Sequence, residues 1–401
     1  MRRFAKIVVS LVIVFLPEVV SAADWPRFLG PKGSGFSAET GIRKNWNEKA
    51  PKMLWSVPLS DGGCAGPSVA GGKVFIIDHQ GANDVVRAID FKTGKDVWTY
   101  SYKDTEAPNY GYSQSTPLIF AGKLYVNGRL GLVTCLDAKT GKKVWDNDIL
   151  ATFNGKKPGF QFAISPVVDG NKLIVCPGGP DASVAALDIK TGGTIWKGGG
   201  SDIPGYATPV MTAAGAKKLF VVLTGVSLIG VDAADGKLLW SVPWKTTFLI
   251  NVSTPIVMGD TVFINSDYDQ GCALVQFSAT EAKILWQNKD MGSRVSTPLL
   301  YNGYLYCTED AGNLVCMDAK TGKVAWKQAG FEWGGAVGIE GVALVFDGKG
   351  GDLVMVKLSS QKYEEIGRFK PLGGQSWTAP IVSDGKLIVR NKDALAVFSL
   401  K

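Results

Sequence analysis

Short apolar runs of strand length, broken by turns carrying glycine or aspartate, follow one another from Lys52 almost to the C-terminus. Leu124-Tyr125-Val126 comes after the turn Ala121-Gly122-Lys123, and Asp384-Gly385-Lys386 divides two runs near the end of the chain. No stretch keeps the three-to-four-residue apolar spacing of an amphipathic helix, so the pattern predicts many short antiparallel strands and essentially no helix.

Within this texture one unit recurs. Asp137 opens a turn, Gly141 follows it and Trp145 closes a strand; the same spacing returns at Asp90–Gly94–Trp98, Asp188–Gly192–Trp196, Asp232–Gly236–Trp240 and Asp318–Gly322–Trp326. An aspartate side chain accepts backbone N–H groups within a turn, a glycine takes the left-handed position, and a tryptophan suits a cleft with one acceptor in it. Each repeat opens with a small residue before proline: Gly66-Pro67, Thr116-Pro117, Ser165-Pro166, Thr208-Pro209, Thr254-Pro255, Thr297-Pro298 and Ala379-Pro380. From there the order is an apolar strand, a turn, a second strand, a polar turn, a third strand ending in the aspartate, and a fourth ending at tryptophan. Four such strands make one propeller blade.

Openings and endings give the same count. Seven proline steps and a degenerate start near Ala336-Val337 match fourth-strand ends at Trp98, Trp145, Trp196, Trp240, Trp286 and Trp326, a weak end near Ile366 and an orphan at Trp55. The orphan strand completes the three C-terminal strands. The expected fold is all-β: one eight-bladed β-propeller of four-stranded antiparallel blades over residues 52–401, closed by its N-terminal strand joining its C-terminal strands. Two copies have lost the code, Ser278–Ala282 and Leu358–Ile366, and predict looser docking. Residues 24–51, with Trp25, Phe28, Phe36 and Trp46, read as an extension laid over the ring.

Residues 1–23 read as a secretory signal: a basic start at Arg2, Arg3 and Lys6, an apolar core from Ile7 to Leu16, and small residues at Ser21, Ala22 and Ala23. Cleavage after Ala22 or Ala23 leaves a mildly basic secreted or periplasmic chain with no lipid-anchor cysteine after the apolar core and no stable membrane insertion. The net charge of +7 includes lysines spread singly over repeated turns, which argues against nucleic acid as a partner. The six cysteines form no CxxC. Counting back from a two-residue loop at Ala311-Gly312 sets Cys307 opposite Cys316, either as a cross-strand disulfide or as two small buried side chains in contact.

The repeat Cys135 to Trp145 resembles the tryptophan-docking repeat of the pyrroloquinoline-quinone (PQQ) type, or quinoprotein-like, propellers, and the opening Asp24-Trp25-Pro26-Arg27-Phe28-Leu29-Gly30-Pro31 is similar to the start of many exported members. The resemblance covers nearly all of residues 52–400. It implies either a PQQ-dependent alcohol or sugar dehydrogenase, or a non-catalytic member of the BamB-like branch concerned with outer-membrane protein assembly. The enzymes hold PQQ between a tryptophan and a disulfide of adjacent cysteines, beside calcium and a catalytic aspartate. Adjacent cysteines are missing here, so the resemblance carries over the fold and no cofactor is expected; PQQ with calcium belongs to the alternative.

In an up-and-down blade the segments before the proline steps share a face with the turns between second and third strands. That mouth collects Tyr110 and Tyr112, Phe160 and Phe162, Tyr206, Phe248 and Asn251, Arg294, Glu332 and Trp333, and Gln375 with Trp377, with Asp78-His79, Asp267-Tyr268-Asp269 and Glu309-Asp310 from the turns. The binding set expected from these is Tyr112, Phe162, Tyr206, Asn251, Arg294, Trp333 and Trp377, taking a protein partner in the envelope or an extracellular ligand such as a polysaccharide. Residues plugging the channel would have the same composition. The single histidine, His79, reads as an ordinary turn residue, which leaves histidine-based zinc or triad chemistry little to build on. Asp267 and Asp269 are a weak calcium motif. The expectation is a monomeric scaffold with no catalytic residue.

Overall fold

The computed structural model describes residues 24–401; the signal-like segment 1–23 lies outside them. Eight four-stranded antiparallel sheets form the blades of a ring. In seven of them the strands are consecutive. In the eighth, Lys52–Pro58 pairs with Ala394–Ser399, which lies beside Lys386–Arg390 and then Ile381–Ser383. The register from Lys52↔Ser399 to Pro58↔Ala394 ties the two ends of the ring together, as the orphan strand required.

Burial follows strand order. Second and third strands are buried on both faces, as in Lys73–Gln80 and Asn83–Asp90, because each sheet is covered by a blade on either side. Fourth strands alternate, as in Asp96–Lys103, with one face on the next blade and one in water.

The Asp–Gly–Trp unit is the joint between blades. Asp90 Oδ1 accepts the N–H groups of Lys92 (3.1 Å) and Thr93 (2.8 Å), which fixes the turn. The paired tryptophan of the preceding blade lies flat on the turn glycine. A Cβ on Gly141 would stand 2.6 Å from Trp98, and on Gly192 2.6 Å from Trp145; both glycines also have positive φ, so steric room and backbone conformation demand the same residue. The indole N–H then donates to a carbonyl of that turn: Trp55 to Phe91 (3.0 Å), Trp145 to Ile189 (3.0 Å) and Trp286 to Lys320 (2.8 Å). Trp196 differs. Lys172 Nζ occupies the corresponding Ala233 carbonyl, and the Trp196 N–H has no partner among the described residues.

A register shift one residue before each tryptophan aims it at its neighbour. In the second blade Cys135 pairs with Trp145 and Leu136 with Lys143, leaving Val144 out of the ladder; the first blade does the same at Val97. Such bulges bend and twist the strand. The seventh blade keeps the bulge, at Ile366, but has Gly367 where the tryptophan belongs. Trp46 of the extension fills the vacancy: it is 2% exposed, its Cβ would be 3.1 Å from a Cβ on Gly367, and its ring meets Phe369 edge-on at 5.1 Å. The weak seventh end is therefore covered from outside the repeat. The two degenerate turns also keep their contact, Ser278 and Ser359 accepting the N–H groups of Trp240 and Trp326 at 3.1 and 2.9 Å.

Cys307 and Cys316 do not face each other. Cys307 pairs with Val315 and Cys316 with Tyr306. The Glu309 N–H bonds to the Asn313 carbonyl, so the loop holds three residues, Asp310, Ala311 and Gly312. One extra loop residue moves the register by one and sends the thiols to opposite faces of the sheet. Both are free and buried, in different apolar clusters.

Candidate functional site

The loops that lead from one blade's outer strand to the next blade's inner strand converge at one end of the ring, and their aromatic residues touch in sequence around it. Trp333 meets Trp377 (centroids 5.5 Å apart), Trp377 meets Tyr110 (6.2 Å), Tyr110 meets Phe160 (5.4 Å) and Phe160 meets Tyr206 (6.4 Å). Arg294 carries the series on from Trp333, its guanidinium 5.0 Å from the ring centres of both Tyr268 and Trp333. The result is an aromatic collar around the channel mouth. Several residues of these loops and turns hold positive φ without being glycine, namely Gln161, Leu249, Tyr268 and Trp333. Such strain persists where surrounding structure fixes it, and it clusters at ligand sites.

Below the collar lies a cavity of about 270 Å³. Its waist is the belt of proline steps, and the structure explains their hydroxyls. Thr116 N–H donates to Ser165 Oγ (3.0 Å), Ser165 N–H to Thr208 Oγ1 (3.2 Å), Thr208 N–H to Thr254 Oγ1 (3.3 Å) and Thr254 N–H to Thr297 Oγ1 (3.1 Å). Each hydroxyl satisfies the backbone of the preceding blade, so the inner strands are stitched side to side. The far end is lined by Trp25, Phe28 and Leu29 of the extension. Trp25 exchanges backbone hydrogen bonds with Val69, and Ile119 N–H donates to the Pro26 carbonyl, both at the middle residues of inner strands that begin just after the proline steps. The extension thus lines the floor.

Arg294 is held by carboxylates. Its Nε lies 2.8 Å from Asp267 and one terminal nitrogen 2.9 Å from Asp310, while Trp333 Nε1–H donates to the other Asp310 oxygen. Two carboxylates against one guanidinium leave the cluster with one negative charge. Burial, followed by the neighbouring Asp267 charge, raises the Asp310 pKa above the ordinary carboxylate value.

Of the residues expected at the mouth, Tyr206, Arg294, Trp333 and Trp377 line the cavity. Three others do not. Phe162 is buried in the core between the second and third blades. Asn251 is fully buried, donating to the Thr224 and Trp244 carbonyls and accepting from Ser266. Tyr112 is stacked on His79 at 3.4 Å with Arg129 on its other side. Tyr110 and Phe160, two positions earlier in their loops, line the cavity instead, as do Tyr268 and Gln114. Irregular loops have no alternation from which to choose between such neighbours. Asp267 and Asp269 do not converge on a cation: one holds Arg294 and the other, exposed, pairs with Lys289.

His79 is not a turn residue. It lies within Lys73–Gln80, buried, with Nε2 2.8 Å from the Gly81 carbonyl and Nδ1 3.0 Å from Asp84. The carbonyl can only accept, so Nε2 carries hydrogen and the Nδ1–Asp84 pair shares one further proton. Burial, then the nearby Asp104 charge, raises the Asp84 pKa to about 6 against the opposing hydrogen bond from His79. His79, Asp84 and Asp104 have donor atoms within 4.8 Å of one another, but Arg129 clamps Asp104 through two nitrogens (2.8 and 2.6 Å) and both His79 nitrogens are engaged. A metal would have to break these bonds.

The raised Asp84 value has a measurable consequence. Folding takes up a proton here, so this carboxyl's contribution is full below about pH 4 and is lost as pH rises through about 6. Urea unfolding of the wild type between pH 4 and 7 is expected to show a decline that the Asp84→Asn variant lacks, on the order of 3 kcal/mol at most for a two-unit shift. Identical pH profiles would remove Asp84 as the cause.

A family model described as outer membrane protein assembly factor BamB matches residues 44–121 and 82–328. The chain belongs to this family. Among BamB-family relatives, the outer membrane protein assembly factor BamB of Moranella endobia (strain PCIT) is 27% identical over 263 residues, which cover 59% of this chain and 63% of that one. The match thus spans under two thirds of that relative's length. The solved BamB of Moraxella catarrhalis superposes with a TM-score of 0.64 at 16% identity, over 87% of this chain and 99% of that one. The quinohemoprotein alcohol dehydrogenase of Comamonas testosteroni superposes as well, at 0.65 and 16% identity, over 94% of this chain and 80% of that one. At such identities the superpositions share the fold, and the collar has to separate the two branches.

Proposed function

We propose that this chain is a non-catalytic binding protein of the cell envelope, a scaffold of the outer membrane protein assembly kind that acts in the periplasm or outside the cell, and that the aromatic collar is its binding face. The observation that carries this reading is an arc of touching aromatic rings around the channel mouth, in which the one charged side chain of the cavity lining, Arg294, is already paired. The cavity lining holds one cysteine, Cys64, whose thiol pKa is raised by burial, and the histidine is committed elsewhere. A ring so furnished holds a partner and offers it no base or nucleophile.

The dehydrogenase reading asks for a PQQ site, and the residues present do not fit one. PQQ carries three carboxylates, and the charged cluster it would meet is already negative by one. Calcium would need carboxylates that are free, whereas Asp267 and Asp310 are spent on Arg294. Titration of the purified protein with PQQ and calcium, followed by tryptophan fluorescence and alcohol-dependent dye reduction, is expected to give no saturable change in either signal. Saturable binding with dye reduction would establish the enzyme instead.

A further inference from the structure

We propose that the channel beneath the collar seats the terminal sugar ring of a neutral envelope glycan, an assignment that rests on reading the collar as the binding face. Three levels of the cavity point to the same ligand. At the waist, the hydroxyls of Ser165, Thr208, Thr254 and Thr297 each accept a backbone N–H of the preceding blade. Each O–H is left as a donor with no protein acceptor among the described residues, and all four residues line the cavity. Gln114, on the same wall, has a buried Nε2 with no partner among the described residues. An unpaired buried donor costs free energy, and a ligand rich in acceptor oxygens removes that cost.

At the mouth, aromatic rings meet the paired charges of Arg294, Asp267 and Asp310. Rings accept the C–H face of a pyranose, and the Arg294 guanidinium, which lines the cavity, offers donors to neighbouring hydroxyls. Other ligand classes fit less of the cavity. An apolar peptide side chain would leave the hydroxyl belt and Gln114 unpaired. An anion would face the negative cluster, and a cation would leave the hydroxyl O–H groups of the waist without acceptors. A neutral polyol satisfies all three levels.

The floor sets the mode of recognition. Trp25, Phe28 and Leu29 line the far end, which narrows the passage and favours entry of a chain end over threading. The cavity, about 270 Å³, is just below the roughly 300–1,000 Å³ range of small-molecule sites. It has space for one ring, or two at the collar, and not for a longer segment.

The test is a fluorescence and calorimetric titration of the full chain with glucose, galactose and N-acetylglucosamine and with their β-1,4-linked di- and tetrasaccharides. At least one series is expected to bind saturably, to gain no affinity beyond the disaccharide, and to lose about tenfold, equivalent to 1.4 kcal/mol, in Gln114→Leu. That variant removes an orphaned donor and is expected to unfold no earlier than the wild type, which separates lost recognition from lost folding. Glucuronate is expected to bind more weakly than glucose. No saturable response to any of these sugars, or affinity that keeps rising to the tetrasaccharide and is unchanged in Gln114→Leu, would overturn the assignment. Should the collar capture a protein while every sugar is silent, the sugar assignment fails and the scaffold reading stands.

Discussion

Replacing Asp61 with alanine is expected to cost about 3–5 kcal/mol of folding stability, the typical result of orphaning one member of a buried ion pair. Asp61 and Arg390 are both fully buried, with Arg390 nitrogens 2.9 and 3.2 Å from the carboxylate. The guanidinium also donates to the carbonyls of Gly63 (2.8 Å) and Ala65 (3.2 Å). Asp61 follows the outer strand of the eighth blade and precedes the first proline step, while Arg390 ends the second strand of the eighth blade. The pair therefore sits at the ring closure, and losing the carboxylate strands a guanidinium where water cannot reach it. Urea unfolding measures the effect as a fall in midpoint at unchanged slope. A loss under about 1 kcal/mol would mean that closure depends on the strand ladder alone.

Trp145→Ala is expected to cost a similar amount, about 3–5 kcal/mol. The indole is 7% exposed, lies on Gly192, donates to the Ile189 carbonyl and packs beside Tyr125 at 6.1 Å. Truncation opens a cavity between blades and orphans no charge, so its cost is packing. Trp286→Ala serves as the internal comparison. Trp286 makes the same hydrogen bond, to Lys320, but at the exposed rim of its joint, and its loss is expected to stay below about 2 kcal/mol. Equal losses at the two positions would show that burial does not grade the strength of the joints.

The repeat made the ring legible because its demands are local. A positive-φ glycine beneath an indole and an aspartate that caps its own turn leave a fixed spacing in the sequence, so blades can be counted without knowing how they pack. Trp46 was visible as an aromatic of the extension, but not as the substitute for the tryptophan missing at Gly367. That role depends on a contact between segments about 320 positions apart in the chain. The displaced cysteines show a narrower limit: one residue in the Asp310–Gly312 loop decides which face each thiol takes, and composition cannot distinguish a two-residue loop from a three-residue one.

At the mouth, the order of strands sufficed to gather the right loops and to place Arg294, Trp333 and Trp377 together. It could not separate Tyr110 from Tyr112 or Phe160 from Phe162, because loop residues follow no alternating pattern. Nor could it find the hydroxyl belt as a chemical feature. The Ser and Thr side chains before the prolines read as tolerated small residues until their hydrogen bonds to the neighbouring blade were seen. His79 was misplaced for a related reason: its strand runs on through Gln80, three residues past Ile77, the end that polar composition suggests.

The most direct test of the collar as a binding face is capture from native envelope extracts by the wild-type ring and by a ring carrying Arg294→Ala, Trp333→Ala and Trp377→Ala together. Covalent crosslinking and mass spectrometry identify what is held, and circular dichroism confirms that both rings are folded. The wild type is expected to retain a partner that the folded triple variant does not. Equal capture by the two would contradict a binding role for the collar.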